Sequence, residues 1–256
     1  MTQDHHQPIE DKVRKDLETN GTALELRVAR TLRRAGLVFE EAYRYLAPGS
    51  PSWREGDVRT WIRGDFWDTG DDSCWLHVVF ECKHVTDKPW VGVHGFRAHK
   101  RRLGDIRGWV SGDNITSSTL PPTPTIVLPL ADEESQPCIK VLKAFDDKHN
   151  TPYDACRQAL SQARGVLQST YSRPGQDFYD EEDARPDLAL AVVVTTARLF
   201  TASLDSDANI RVVEVDRFAV WVDDDEGAER PVTVMNESAL DSFANTLEEL
   251  GRRPGG

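Results

Sequence analysis

Glu81-Cys82-Lys83 closes the apolar run Trp75-Leu76-His77-Val78-Val79-Phe80. In a strand, side chains alternate with period two, so Glu81 and Lys83 emerge on one face and Cys82 on the other. A carboxylate and an ammonium at the end of a buried strand are costly unless something uses them. Upstream, Asp57 lies in Arg54-Glu55-Gly56-Asp57-Val58-Arg59-Thr60-Trp61-Ile62, a second strand-like run. The midpoint between Asp57 and Glu81 is residue 69, inside Asp68-Thr69-Gly70-Asp71-Asp72, a strong turn signal. A hairpin folded about that turn sets Asp57 level with Glu81. Two carboxylates and one lysine at one end of a sheet suit metal-assisted phosphodiester hydrolysis. The competing reading, a weak salt bridge on an exposed strand, fits poorly with so apolar an approach.

The elements that must hold these residues can be read on either side. A helix is expected from Thr22 to Ala35, capped by Asn20 or Thr22 and stopped by Gly36, with Leu24, Val28, Thr31, Leu32 and Ala35 as its stripe. Glu25 sits at the margin of that stripe, turned toward the sheet. Val38 to Leu46 reads as a strand ended by Pro48-Gly49-Ser50-Pro51, and the hairpin strands follow at roughly 56–63 and 74–83. After Lys83 the chain reads as irregular, then basic and helical over 94–107, then as loop over 114–124, with a short apolar strand at 125–130. An amphipathic helix is expected from Pro152 to Thr170, on which Gln158 and Gln162 share a face. Leu188 to Thr195 has the continuous apolar character of a fully buried central strand. Further strands are expected at Ile210–Val215 and Phe218–Val222, and a last helix at Ser238–Leu250, capped by Ser238 and stopped by Gly251. This order gives a mixed sheet flanked by helices, an α/β sandwich. Residues 1–19 form a polar leading segment and 20–256 a single α/β domain.

Bulk properties narrow the function classes. The 256 residues suffice for a sizeable core, and 39% hydrophobic with 29% charged residues is ordinary globular composition. No apolar run approaches the ~20 residues of a membrane span, and no signal-peptide pattern opens the chain, so a cytoplasmic location is the expectation. The four cysteines (Cys74, Cys82, Cys138, Cys156) are scattered, which favours reduced buried thiols over a zinc site. A net charge of −12 argues against a protein that coats nucleic acid. The acid is concentrated at 177–187 and 223–229, whereas 88–107 carries Lys88, Arg97, Lys100, Arg101, Arg102 and Arg107, a basic patch suited to phosphate contacts.

Asp57 followed by Glu81-x-Lys83 on a hairpin, with an upstream helix carrying Glu25, resembles the PD-(D/E)XK nuclease superfamily, whose fold is restriction-endonuclease-like. The resemblance spans roughly residues 20 to 196, taking in the later helix and the buried strand after it. It implies that Asp57 and Glu81 ligate a divalent cation, Mg²⁺ with Mn²⁺ as a substitute, and that Glu25 completes the metal site. Lys83 then orients or activates the attacking water and balances charge on the scissile phosphate. Gln162, with Gln158 as second choice, matches the polar residue that the later helix contributes. Two departures stand out: Gly56-Asp57 replaces the common Pro-Asp, and the hairpin is long. Its acidic tip (Asp65, Asp68, Asp71, Asp72) offers alternative ligands to Asp57.

The resemblance implies a metal-dependent DNA endonuclease of restriction or host-defence type, its basic 88–107 segment lying on backbone phosphates. Enzymes of this type often act as homodimers that cut two strands with two sites. The alternative is a non-catalytic member of the same fold that serves as a binding or assembly subunit. Nothing in the sequence separates DNA from RNA, or double strands from single.

Overall fold

The hairpin around Asp57 and Glu81 forms in the register that its turn implies. In the computed structural model, β2 (Trp53–Asp65) pairs antiparallel with β3 (Ser73–Lys83), from Val58↔Phe80 through Asp65↔Ser73. Each pair sums to the same value as Asp57 with Glu81, so these two residues stand one step beyond the last ladder pair. The structure describes residues 8–65, 73–86, 88–95, 109–110, 138–145, 151–171, 188–224 and 229–252. The hairpin tip, most of the basic 88–107 segment, the apolar run at 125–130 and the acidic stretch at 177–187 lie outside the described residues.

Two helices precede the sheet. α1 (Ile9–Asn20) and α2 (Thr22–Arg34) meet at Gly21, whose φ of 91° is the left-handed conformation that glycine adopts at little cost. The polar composition of the first residues hides α1, which buries none of its side chains. The Asn20 side chain accepts from the Thr22 N–H at 3.1 Å. β1 (Phe39–Leu46) then pairs antiparallel with β2.

Beyond β3 the chain adds β4 (Trp90–Val93), β5 (Trp109–Val110) and β6 (Lys140–Lys143), then α3 (Thr151–Tyr171) and β7 (Leu188–Thr195). β4 occupies a stretch that reads as irregular in sequence. It is short, and partner strands rather than its own pattern define it. The chain ends with β8 (Leu199–Leu204), β9 (Ile210–Val215), β10 (Arg217–Asp223), β11 (Glu229–Asn236) and α4 (Leu240–Arg252). A single 3-10 turn at Glu237–Ala239 leads into α4. Asn236, not the expected Ser238, caps this end: its side chain accepts from the Ser238 N–H, and α4 continues through Gly251 to Arg252.

The architecture is mixed α/β with two mixed sheets flanked by helices. The larger sheet has seven strands in the order β1-β2-β3-β7-β11-β10, with β5 also pairing β7; the smaller runs β6-β4-β8-β9. β7 is central, parallel to both β3 and β11, and all eight of its residues are buried. One face of the larger sheet packs Val58, Val78 and Phe80 against Leu24 and Val28 of α2 and Phe243 and Leu247 of α4. The opposite face packs Val79, Ala191 and Val193 against Ala159, Ala163 and Val166 of α3, and also covers Trp90, Val141 and Leu199 of the smaller sheet. Among the described residues, no helix is long and apolar enough to cross a membrane.

Candidate functional site

Glu81 leaves β3 on the face covered by α3 and is fully buried, 0% exposed. A buried carboxylate needs partners, and two side chains supply them. Gln162, also 0% exposed, donates from Nε2 to Glu81 Oε2. The Lys83 ammonium forms an ion pair with Glu81 Oε1. Lys83 Nζ also donates to Gln158 Oε1 at 3.4 Å, so both glutamines on that face of α3 reach the site. Tyr43 completes the chain from the far side: its hydroxyl donates to Gln162 Oε1 at 2.8 Å.

Asp57 occupies the end of the ladder between β2 and β3. Its Oδ2 accepts from the backbone N–H of Cys82 at 2.6 Å, so a side chain takes the donor one residue past Glu81. The site thus lies at the seam between the sheet's two faces. This explains how Glu25, whose helix packs on the face opposite α3, enters the same electrostatic group. The Asp57 charge raises both Glu25 and Glu81.

Burial dominates the titration of all three. It pushes Glu81 up from 4.5 to about 7, the nearby Asp57 charge adds to the rise, and Lys83 and Gln162 oppose it. Asp57 is raised by burial, against the Cys82 N–H and the Lys83 charge. Glu25 is raised by burial and then by Asp57 and Glu55, with Lys83 acting in the other direction. Lys83 is therefore the common counter-charge to the whole group.

Local backbone distortion shapes the seam. Phe39 of β1 packs on the α2 and α4 side, yet Tyr43 and Tyr45, at even spacing from it, pack on the α3 side. An undistorted strand would keep all three on one face. Between them Ala42 adopts φ 47°, and the ladder skips from Glu41↔Val58 to Tyr43↔Gly56. Such a conformation is costly for a residue with a side chain and clusters at functional sites. It brings the Tyr43 ring over Gly56, where an added Cβ would lie 2.7 Å from the Tyr43 hydroxyl oxygen. Gly56 precedes Asp57 because nothing larger fits beneath that ring.

Of the residues expected from sequence, Asp57, Glu81, Lys83 and Gln162 meet at one end of the larger sheet, and Glu25 approaches from the opposite face. Tyr43 escaped notice; its signal, a glycine beside the carboxylate facing an aromatic across a strand pair, becomes visible only once β1 and β2 are registered. Among the described residues, no three His, Cys, Asp or Glu side chains stand as a ready ligand cage. The donor set nonetheless fits a hard divalent cation, which commonly takes only one or two protein carboxylates with water and phosphate filling the remainder. Buried Glu81 and half-buried Asp57, each raised by lost hydration, are the pair that such a charge would stabilise. Comparisons with protein-family models, curated proteins and solved structures returned no match.

Proposed function

We propose that this protein is a metal-dependent nuclease that hydrolyses DNA phosphodiester bonds, an endonuclease of restriction or host-defence type built on a restriction-endonuclease-like fold. One observation carries the reading: a buried carboxylate, a half-buried one beside it and a lysine converge where adjacent strands end, with hydrogen-bonding glutamines behind them. Asp57 and Glu81 would hold Mg²⁺ or Mn²⁺, with Glu25 within electrostatic range of the Asp57 side. The ion would contribute positive charge at the phosphoryl oxygen and a more acidic bound water.

The chain's own residues account for the rest. Lys83, 30% exposed along its side chain, reaches from solvent to the Glu81 carboxylate. On exchange of that contact for a phosphate oxygen, its ammonium meets the negative charge that builds up in the transition state. Gln158 accepts from the same ammonium and limits its swing. Gln162 holds one Glu81 oxygen, leaving the other toward Lys83. The test is plasmid cleavage with Mg²⁺ by the parent protein, Lys83→Ala and Asp57→Ala. The expected result is nicking and linearisation by the parent alone; equal activity in all three ends this assignment.

A second reading, a non-catalytic binding or assembly subunit, is favoured by the Lys83–Glu81 ion pair, which already balances one carboxylate without a metal. Calorimetric titration with Mn²⁺ separates the two, since a pure binding module takes up no ion at this site.

A further inference from the structure

We propose that Tyr43 is a positioning residue that fixes which way the Gln162 amide points and, through it, the orientation of the Glu81 carboxylate. The inference rests on the reading of Glu81 as a metal ligand, and it extends that reading to a residue on a different strand that touches neither ion nor substrate.

The argument begins with the amide. A glutamine side chain has a donor end and an acceptor end of nearly the same shape, so only its partners decide between the two orientations. Gln162 is fully buried on α3 between the Glu81 carboxyl and the Tyr43 hydroxyl. Glu81 Oε2 accepts from Nε2. The Tyr43 hydroxyl donates to Oε1 at 2.8 Å. Burial raises the Tyr43 hydroxyl well above its ordinary value, so it keeps its proton and remains a donor. Remove that donor and Oε1 is left in the core without a hydrogen, at the cost of an unsatisfied buried acceptor. The amide then loses its reason to keep Nε2 on the carboxylate.

Several features of the structure serve this one hydroxyl. Ala42 takes a left-handed φ that turns Tyr43 onto the α3 face. Gly56 leaves room for the ring. Arg59 stacks over the ring, 5.1 Å from its centroid, and is itself held by Glu40 through contacts of 2.6 and 2.9 Å. Groups that orient metal ligands in this indirect way typically contribute about 10- to 100-fold to metal affinity.

Tyr43→Phe removes the hydroxyl and keeps the ring. The expected result is Mn²⁺ binding, measured by calorimetry, weakened about tenfold, and a matching rise in the Mg²⁺ concentration needed for half-maximal cleavage with little change in rate at saturation. Tyr45→Phe, which removes a hydroxyl from the neighbouring ring in the same core, leaves Mn²⁺ affinity unchanged. In a Gln162→Ala background, Tyr43→Phe produces no further loss, because the two act in series. Additive losses in the double variant overturn the proposal.

A metal-free readout keeps its fate separate from that of the nuclease reading. In the apo protein, the Gln162 side-chain NH₂ resonances are expected to shift and to exchange faster with solvent in Tyr43→Phe. Unchanged amide resonances overturn the positioning role whether or not the protein binds metal. A shifted amide in a parent protein that binds no Mn²⁺ supports the relay and removes the nuclease.

Discussion

Two acid–base pairs, one on each sheet, show how the same chemistry acquires opposite meanings. On the smaller sheet, Arg198 holds Glu214 with two contacts of 2.7 and 2.8 Å, and both groups are exposed. Arg198 lowers the Glu214 carboxyl below its ordinary value. On the larger sheet, Lys83 holds Glu81 with comparable intimacy, yet the Glu81 carboxyl is raised to about 7. The difference is burial. In water the partner's attraction decides the sign; under α3 the lost hydration and the adjacent Asp57 outweigh the lysine. An ion pair in an exposed sheet needs no further charge, whereas the buried one leaves Glu81 under-compensated, the condition that added positive charge relieves.

The largest expected effect lies in the buried pair. Lys83→Ala should reduce Mg²⁺-dependent plasmid cleavage by about 100-fold or more, the scale of losing one preorganised charge in an active site. Next comes a divergence between activity and stability. Glu81→Gln should abolish cleavage while raising the denaturation midpoint in metal-free buffer near pH 8, because it removes a buried charge but keeps the shape. Lys83, 30% exposed, stays hydrated without its partner, and the gain should be at most about 3 kcal/mol, the scale of a carboxyl raised from 4.5 to about 7. A fall in stability there would mean that Lys83 over-compensates Glu81 and that the comparison is misdrawn.

The pH dependence tests the same contrast. Glu81 holds its proton more tightly in the fold, near 7, than at its ordinary 4.5, so its contribution favours the folded state at low pH. That contribution is lost as pH rises through about 7. Asp57 and Glu25, both raised, act in the same direction. Urea midpoints in metal-free buffer should therefore decline from pH 5 to pH 8, an effect that Glu81→Gln flattens. A change of similar size but opposite sign is expected from Gly56→Ala, whose methyl collides with the Tyr43 ring; overpacking of this kind costs about 1–3 kcal/mol, readable by thermal melting. At the far end, Glu214→Gln on the smaller sheet should leave both the melting curve and cleavage indistinguishable from the parent.

The sheets also differ in how plainly their residues announce them. Each strand and helix that carries the proposed site has a strong local signature: the stripe of α2, the apolar approach to Glu81, the periodic alanines and leucines of α3 and the unbroken β7. In the smaller sheet β9 has such a signature, legible as the expected strand Ile210–Val215, and the other three strands have little of it. β4 and β6 are four residues each, and β8 mixes small polar and apolar residues. Such strands exist because neighbours complete their backbone hydrogen bonds, a requirement that composition does not reveal.

Within the site, spacing alone predicted the level of Asp57 with Glu81, since a hairpin's register follows from the position of its turn. The common face of Glu81 and Lys83 follows from strand alternation and that of Gln158 and Gln162 from helical spacing, whereas the choice of Gln162 follows from the resemblance. What required the folded chain was everything that depends on departures from those periods. Ala42 breaks the alternation of β1 and turns Tyr43 across the sheet, and Asp57 takes the Cys82 N–H in place of a continued ladder. Burial then reverses the ordinary preference of a carboxylate paired with a lysine. Local sequence sets which side chains are offered and at what interval; the sign of their electrostatics depends on the solvent removed around them, which only packing by distant segments decides.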